Sequence, residues 1–129
     1  MTERKSVPLG AIIVAVVMFF AAVATDVFWL GRLFAGAFPP TLPVEKRVYN
    51  AFAGPDIVLA LFLYAGAYGL LKMKKLGFVA ALIALGMWLF DALLVLGLTG
   101  LTRLSFIGPS LVFACFAIVY LWVKRDLFS

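Results

Sequence analysis

Three aspartates, Asp26, Asp56 and Asp91, lie inside apolar segments of a chain with only six acidic residues. On membrane-insertion scales a carboxylate at the centre of a helix costs roughly 2.5–3.5 kcal/mol, which makes each of them a functional candidate. One acid in each of the first three apolar spans points to a shared site. Two carboxyl groups that meet in a low-dielectric environment do not ionise independently and titrate as a pair. Such a pair can relay protons, bind a small cation or hold the ammonium of an amine-bearing ligand. It can also act as general acid and base on an apolar substrate. Oxygen-only donors favour Mg²⁺, Ca²⁺ or Na⁺-type ions over soft metals, and no particular metal is implied. The absence of histidine removes haem, most zinc and copper sites and imidazole chemistry. No motif for nucleotides, quinones, haem or peptide hydrolysis is present, and no cofactor is expected.

Each acid also has a purely structural reading. Asp56 follows Pro55 near a helix start, where a carboxylate complements free amides and the helix dipole. Asp26 precedes Arg32 by six residues, a spacing that pairs them if the helix loosens near Gly31. Asp91 is the hardest to explain structurally. Seven residues separate it from Thr99 and Gly100, and no basic residue lies within one turn. Trp88, one turn before Asp91, offers a pocket wall or a cation–π face. Ser110 is the counterpart of Asp56 in the last apolar span. The ligand- or proton-binding candidates are therefore Asp91, Asp56, Asp26, Ser110 and Trp88.

The elements that must position these side chains follow from composition. The chain is 66% hydrophobic and 13% charged, with mean hydropathy +1.16. Soluble domains run near half apolar and a quarter charged, so an integral membrane protein is predicted. Apolar stretches at about residues 7–38, 51–71, 76–98 and 106–123 each approach the ~20 residues of a spanning helix. They are apolar all round and show no alternating strand pattern. The prediction is one all-α membrane domain over residues 1–129, a compact bundle of four transmembrane helices. The 22–24 segment (Ala-Val-Ala) has the small-x-small form of a signal-peptidase site, but the apolar run continues through Val27-Phe28-Trp29-Leu30, so a retained first helix is expected.

Basic residues set the orientation. Arg4, Lys5, Lys72, Lys74, Lys75, Lys124 and Arg125 fall on one side, against Arg32, Lys46, Arg47 and Arg103 on the other. The positive-inside rule then predicts a multi-pass cell-membrane protein with both termini cytoplasmic. Clusters of this kind are topology signals with anionic-lipid contact as a secondary role, and nucleic-acid binding is not expected. The 39–50 loop, with Pro39, Pro40 and Pro43, is not helical throughout, although its later part reads as a short amphipathic turn at the outer interface.

Two further patterns bear on the site. Gly54-Pro55-Asp56-Ile57-Val58 aligns with Gly108-Pro109-Ser110-Leu111-Val112, as a tandem duplication of a two-helix unit would produce; proline preference at helix starts gives the same match. Sixteen residues separate Lys72 from Asp56, and sixteen separate Lys75 from Asp91. At about 1.5 Å per residue both acids lie roughly 24 Å above the inner interface. Ser110, fourteen residues from Lys124, falls near the same level, and Asp26 is expected slightly higher, at the mouth of an outward-facing pocket.

The remaining signals are weaker. Trp29, Tyr49, Tyr120 and Trp122 read as interfacial belt residues. Gly66, Gly69, Gly86 and Gly97 would let helices approach closely. Cys115, the one cysteine, reads as a small packing residue. The Asp-x-x-Trp-Leu-Gly run at residues 26–31 resembles stretches in small four-helix bacterial membrane proteins and implies no activity. The leading expectation is binding, extended to transport, of a proton, small cation or amine-bearing ligand. Alternatives are an intramembrane enzyme acting on a lipid or isoprenoid-like substrate, and an accessory subunit of a larger membrane complex. Expected partners are the lipid bilayer and either a second copy or another membrane subunit.

Overall fold

A computed structural model describes residues 6–40 and 43–129; the expectations resting on Arg4 and Lys5 lie outside the described residues. The protein is all-helical, with 84% of it in helix and no strand among the described residues. The elements are α1 (Leu9–Ala35), α2 (Lys46–Asn50), α3 (Ala53–Leu71), α4 (Lys75–Thr99) and α5 (Leu104–Val123). Three helical stretches, Leu9–Ala35, Lys46–Leu71 and Lys75–Val123, are long and apolar enough to cross a membrane. The second joins α2 to α3 through a turn at Ala51 and Phe52, where the Asp56 N–H already donates to the Phe52 carbonyl at 2.9 Å. The third contains both α4 and α5.

That third stretch folds back on itself, and the reason is local. Gly100 adopts φ 72° and ψ −170°, a combination open essentially to glycine alone. A 3₁₀ turn over Gly100–Arg103 follows, and α5 returns along α4. Pro109 falls inside α5, several residues past its start, whereas Pro55 sits in the first turn of α3. The two Gly-Pro sequences thus occupy different helical positions.

At the opposite end, α3 reverses into α4 through a Schellman turn. Met73 takes the left-handed conformation at φ 55°. The Lys74 N–H donates to Gly69 O at 3.0 Å and the Met73 N–H to Leu70 O at 3.1 Å, capping the last carbonyls of α3. Ser129 N–H donates to Met73 O at 3.2 Å, and Lys75 N–H donates to Ser129 O at 3.0 Å. Phe128 stacks on Phe78 with ring centroids 5.2 Å apart. The segment after α5 is therefore stitched to the α3–α4 turn by backbone and ring together.

The core is built from small residues. Ala11, Ala15 and Ala22 of α1, Ala60 and Ala67 of α3, Ala81 and Ala84 of α4, and Ala114 and Ala117 of α5 are buried, with Met18, Leu63, Leu70, Leu85 and Leu121 filling between them. Large apolar side chains point outward instead: Leu76 is 84% exposed and Phe106 76%. No polar or charged residue among those described is fully buried. This inversion suits a lipid surround, where helices associate by close packing rather than by hiding oil from water. It is tightest where α3 crosses α4. A methyl on Gly69 would collide with the Gly77 backbone, and one on Gly66 would come within 2.8 Å of Ala81 Cα. Cys115 is exposed, so it does not pack in the core as its size suggested.

α3 packs against both α1 and α4, and α4 against α5. α1 and α5 meet only sparingly. Gly10 lies against the Tyr120 ring near the α3–α4 turn. Farther along, the two helices diverge and a cleft opens between them.

Candidate functional site

The cleft has a volume of about 350 Å³ and draws on all four long helices. α1 contributes Ala21 and Thr25, α3 Asp56, Leu59 and Leu63, α4 Trp88, Asp91, Ala92 and Val95, and α5 Phe106, Ile107 and Ser110, with Phe52 at the α2–α3 junction. None of these lining residues is basic. The side chains of Asp56 and Asp91 adjoin each other in the cleft. Both are half-buried.

Local sequence explains each placement. Asp56 does not cap its helix: no side-chain cap bond is made at the start of α3. Its carboxylate instead accepts a hydrogen bond from Trp29 Nε1–H at 2.8 Å. Asp91 is carried by α4 about one turn beyond Trp88, and the Trp88 ring rests on Phe113 with centroids 5.2 Å apart. Thr25 returns its hydroxyl to Ala21 O of its own helix at 2.8 Å, so it lines the cleft without an unmet donor. Ser110 enters the same cleft from α5.

Asp26 is set apart from the other four candidates. It is not among the lining residues of the cleft; its carboxylate lies beside the Tyr64 side chain of α3. The expected pairing with Arg32 is not formed either. Arg32 donates Nε–H to Asn50 Oδ1 at 3.1 Å and Nη1–H to Phe38 O at 2.8 Å, and its guanidinium lies 4.7 Å from the Tyr49 ring centroid. Asp26 lies about one turn before Trp29 on α1. No group of three or more acidic or cysteine side chains converges among the described residues.

Reading the sequence alone misses Trp29. It is 4% exposed and belongs to an aromatic cluster with Phe28, Phe38 and Tyr49, at centroid separations of 5.1 Å to Phe28 and 5.7 Å to Tyr49. A buried indole needs a partner for its N–H, and Asp56 is the acceptor it finds. The available signal was that need, since α1 is apolar all round and carries no mark of which face turns inward.

Comparison with protein-family models, curated proteins and solved structures finds no match. The functional reading therefore rests on the geometry of the cleft.

Proposed function

We propose that this is a multi-pass protein of the cell membrane whose paired Asp56 and Asp91 recognise a proton or the ammonium group of an amine-bearing ligand. The observation that carries this reading is the Asp56–Asp91 contact inside a cleft with aromatic walls and no basic lining residue. A carboxyl pair that holds one proton has one net negative charge, which one monovalent cation balances. Divalent ions ask for six or more oxygen ligands, or for near-octahedral geometry with several waters. Two carboxyl groups and the Ser110 hydroxyl suit an ammonium better, and Trp88, Phe52 and Phe106 supply ring faces for its charge.

Four crossings with both ends cytoplasmic are part of the same proposal. The Lys75–Val123 stretch has 49 residues, about 74 Å if straight, against a hydrocarbon core of ~30 Å. α4 and α5, of 25 and 20 residues, each match one crossing. Lys72 lies 5.7 Å from the Tyr68 ring centroid, and the Arg125 guanidinium 4.8 Å from that of Trp122. Such pairs of cation and ring favour an interface, and with Lys74, Lys75 and Lys124 they support that end as the cytoplasmic one. Asp56 and Ser110 both reach the cleft from Gly-Pro segments, which supports a duplicated two-helix unit; the unequal helical positions of the two prolines count against it. Transport is the natural extension, and four short helices leave little room for a pathway within one copy, so it calls for a dimer.

Methylammonium is the simplest probe. Asp91→Asn should abolish its saturable binding to purified protein and the pH-dependent flux in proteoliposomes. Unchanged binding by a folded Asp91→Asn protein would overturn the reading. A second cleft that reaches Asp91 from outside the bundle favours one other reading, an intramembrane enzyme using the acids as proton donor and acceptor on a lipid or isoprenoid-like substrate. Turnover of membrane lipid by the purified protein, lost in Asp91→Asn, would select it.

A further inference from the structure

Asp91 is approached from two sides. Besides the acid cleft, a smaller cleft of about 220 Å³ lies between the α2–α3 junction and α4. Its walls are Val48, Ala51, Pro55, Phe90, Leu94 and Leu98, and it shares Phe52 and Asp91 with the acid cleft. Apart from Asp91 every wall is apolar. Neither α1 nor α5 contributes, so this lateral cleft opens on the outside of the bundle, where Phe90 is 63% and Leu98 41% exposed. Phe52, half-buried at the junction, and Asp91 form the partition between a polar chamber and an apolar one.

We propose that the lateral cleft holds the apolar tail of the ligand whose ammonium sits at Asp56 and Asp91, which makes the ligand an amphiphilic amine that arrives from the bilayer. This rests on the reading of the acid pair as an ammonium site and adds the ligand class and the route. A bare inorganic cation would have no use for a second, apolar chamber sharing a carboxylate with the first. A lipid-soluble amine needs both: an anionic contact for its head and an oily slot that receives its chain before the head is desolvated. The order of residues fits that path. Phe90, Leu94 and Leu98 follow one face of α4 at helical spacing, and Asp91 adjoins the inner end of that face.

The test compares methylammonium with octylammonium on the full protein in nanodiscs of fixed lipid content, taking binding to Asp91→Asn as the background from partition alone. Each methylene buried adds about fourfold to affinity. Octylammonium should bind wild type at least about thirtyfold more tightly than methylammonium after that correction. Leu94→Trp, which fills the lateral cleft from a surface position, should cut this ratio below about fivefold while leaving methylammonium affinity unchanged. Retained methylammonium binding also reports that the variant has folded. A wild-type ratio near one, or a ratio unaffected by Leu94→Trp, overturns the lateral-cleft proposal and leaves the acid pair standing. Failure of both amines to bind in an Asp91-dependent way overturns the acid-pair reading and this one with it.

Discussion

At the Gly69–Gly77 crossing the backbones of α3 and α4 touch, and nothing larger than hydrogen fits between them. At the Asp56–Asp91 level the same two helices bring their carboxyl groups side by side, and a cleft of about 350 Å³ opens between them and the flanking helices. One end is closed by small residues, a Schellman turn and the backbone stitch at Ser129; the other opens on Asp56, Asp91 and Ser110, with Phe52, Trp88 and Phe106 in its walls. The contrast shows where adaptability resides. The closed end fixes how the helices cross, so the open end can keep a cleft around its polar groups without the bundle collapsing onto them.

The sharpest way to break this contrast is to pry open the closed end. Gly77→Val forces the α3 and α4 backbones apart and should cost about 3 kcal/mol or more, read as a large fall in thermal midpoint in detergent. Disabling the open end should do the reverse. Asp91→Asn should leave the thermal midpoint within a few degrees while methylammonium affinity falls by about a hundredfold or more, measured by calorimetric titration. Trp29→Phe keeps the ring but removes the N–H that Asp56 accepts, at a cost of about 1–2 kcal/mol in unfolding free energy. Arg32→Lys loses the fork that spans Asn50 and Phe38 O, together with the flat face over Tyr49. It should destabilise by about 1 kcal/mol or less, seen as faster hydrogen exchange around Asn50. Cys115→Ser, on the exposed face of α5, should shift stability by under about 0.5 kcal/mol.

Much of the helical plan was legible because length and apolarity are one-dimensional. The predicted spans at about 51–71 and 76–98 differ from α3 and α4 by no more than two residues at either end. The fourth begins at Leu104 rather than near 106, because the 3₁₀ turn takes up the chain after Gly100. Counting from the lysines puts Asp56, Asp91 and Ser110 at one level along their helices, and all three line one cleft. Rotation was not legible. Helices apolar on every face give no periodic signal, so nothing marked Asp26 as turned toward Tyr64 or Trp29 as turned toward Asp56. Trp29 reads from sequence as a belt residue because position near a span end and burial beneath a loop look identical in one dimension. The 39–50 loop hid that burial, since it was not evident that Tyr49 would fold back over the indole.

The divergence of α1 from α5 has a mechanical consequence. The two helices are in contact at Gly10 and Tyr120, and fifteen residues of α1 separate Gly10 from Thr25 in the cleft wall. That length is about 22 Å, so tilting α1 by about 10° about the contact would displace Thr25 by about 4 Å. Rocking of that size carries Trp29 along with Thr25, so it either breaks the Trp29–Asp56 hydrogen bond or takes α3 with α1.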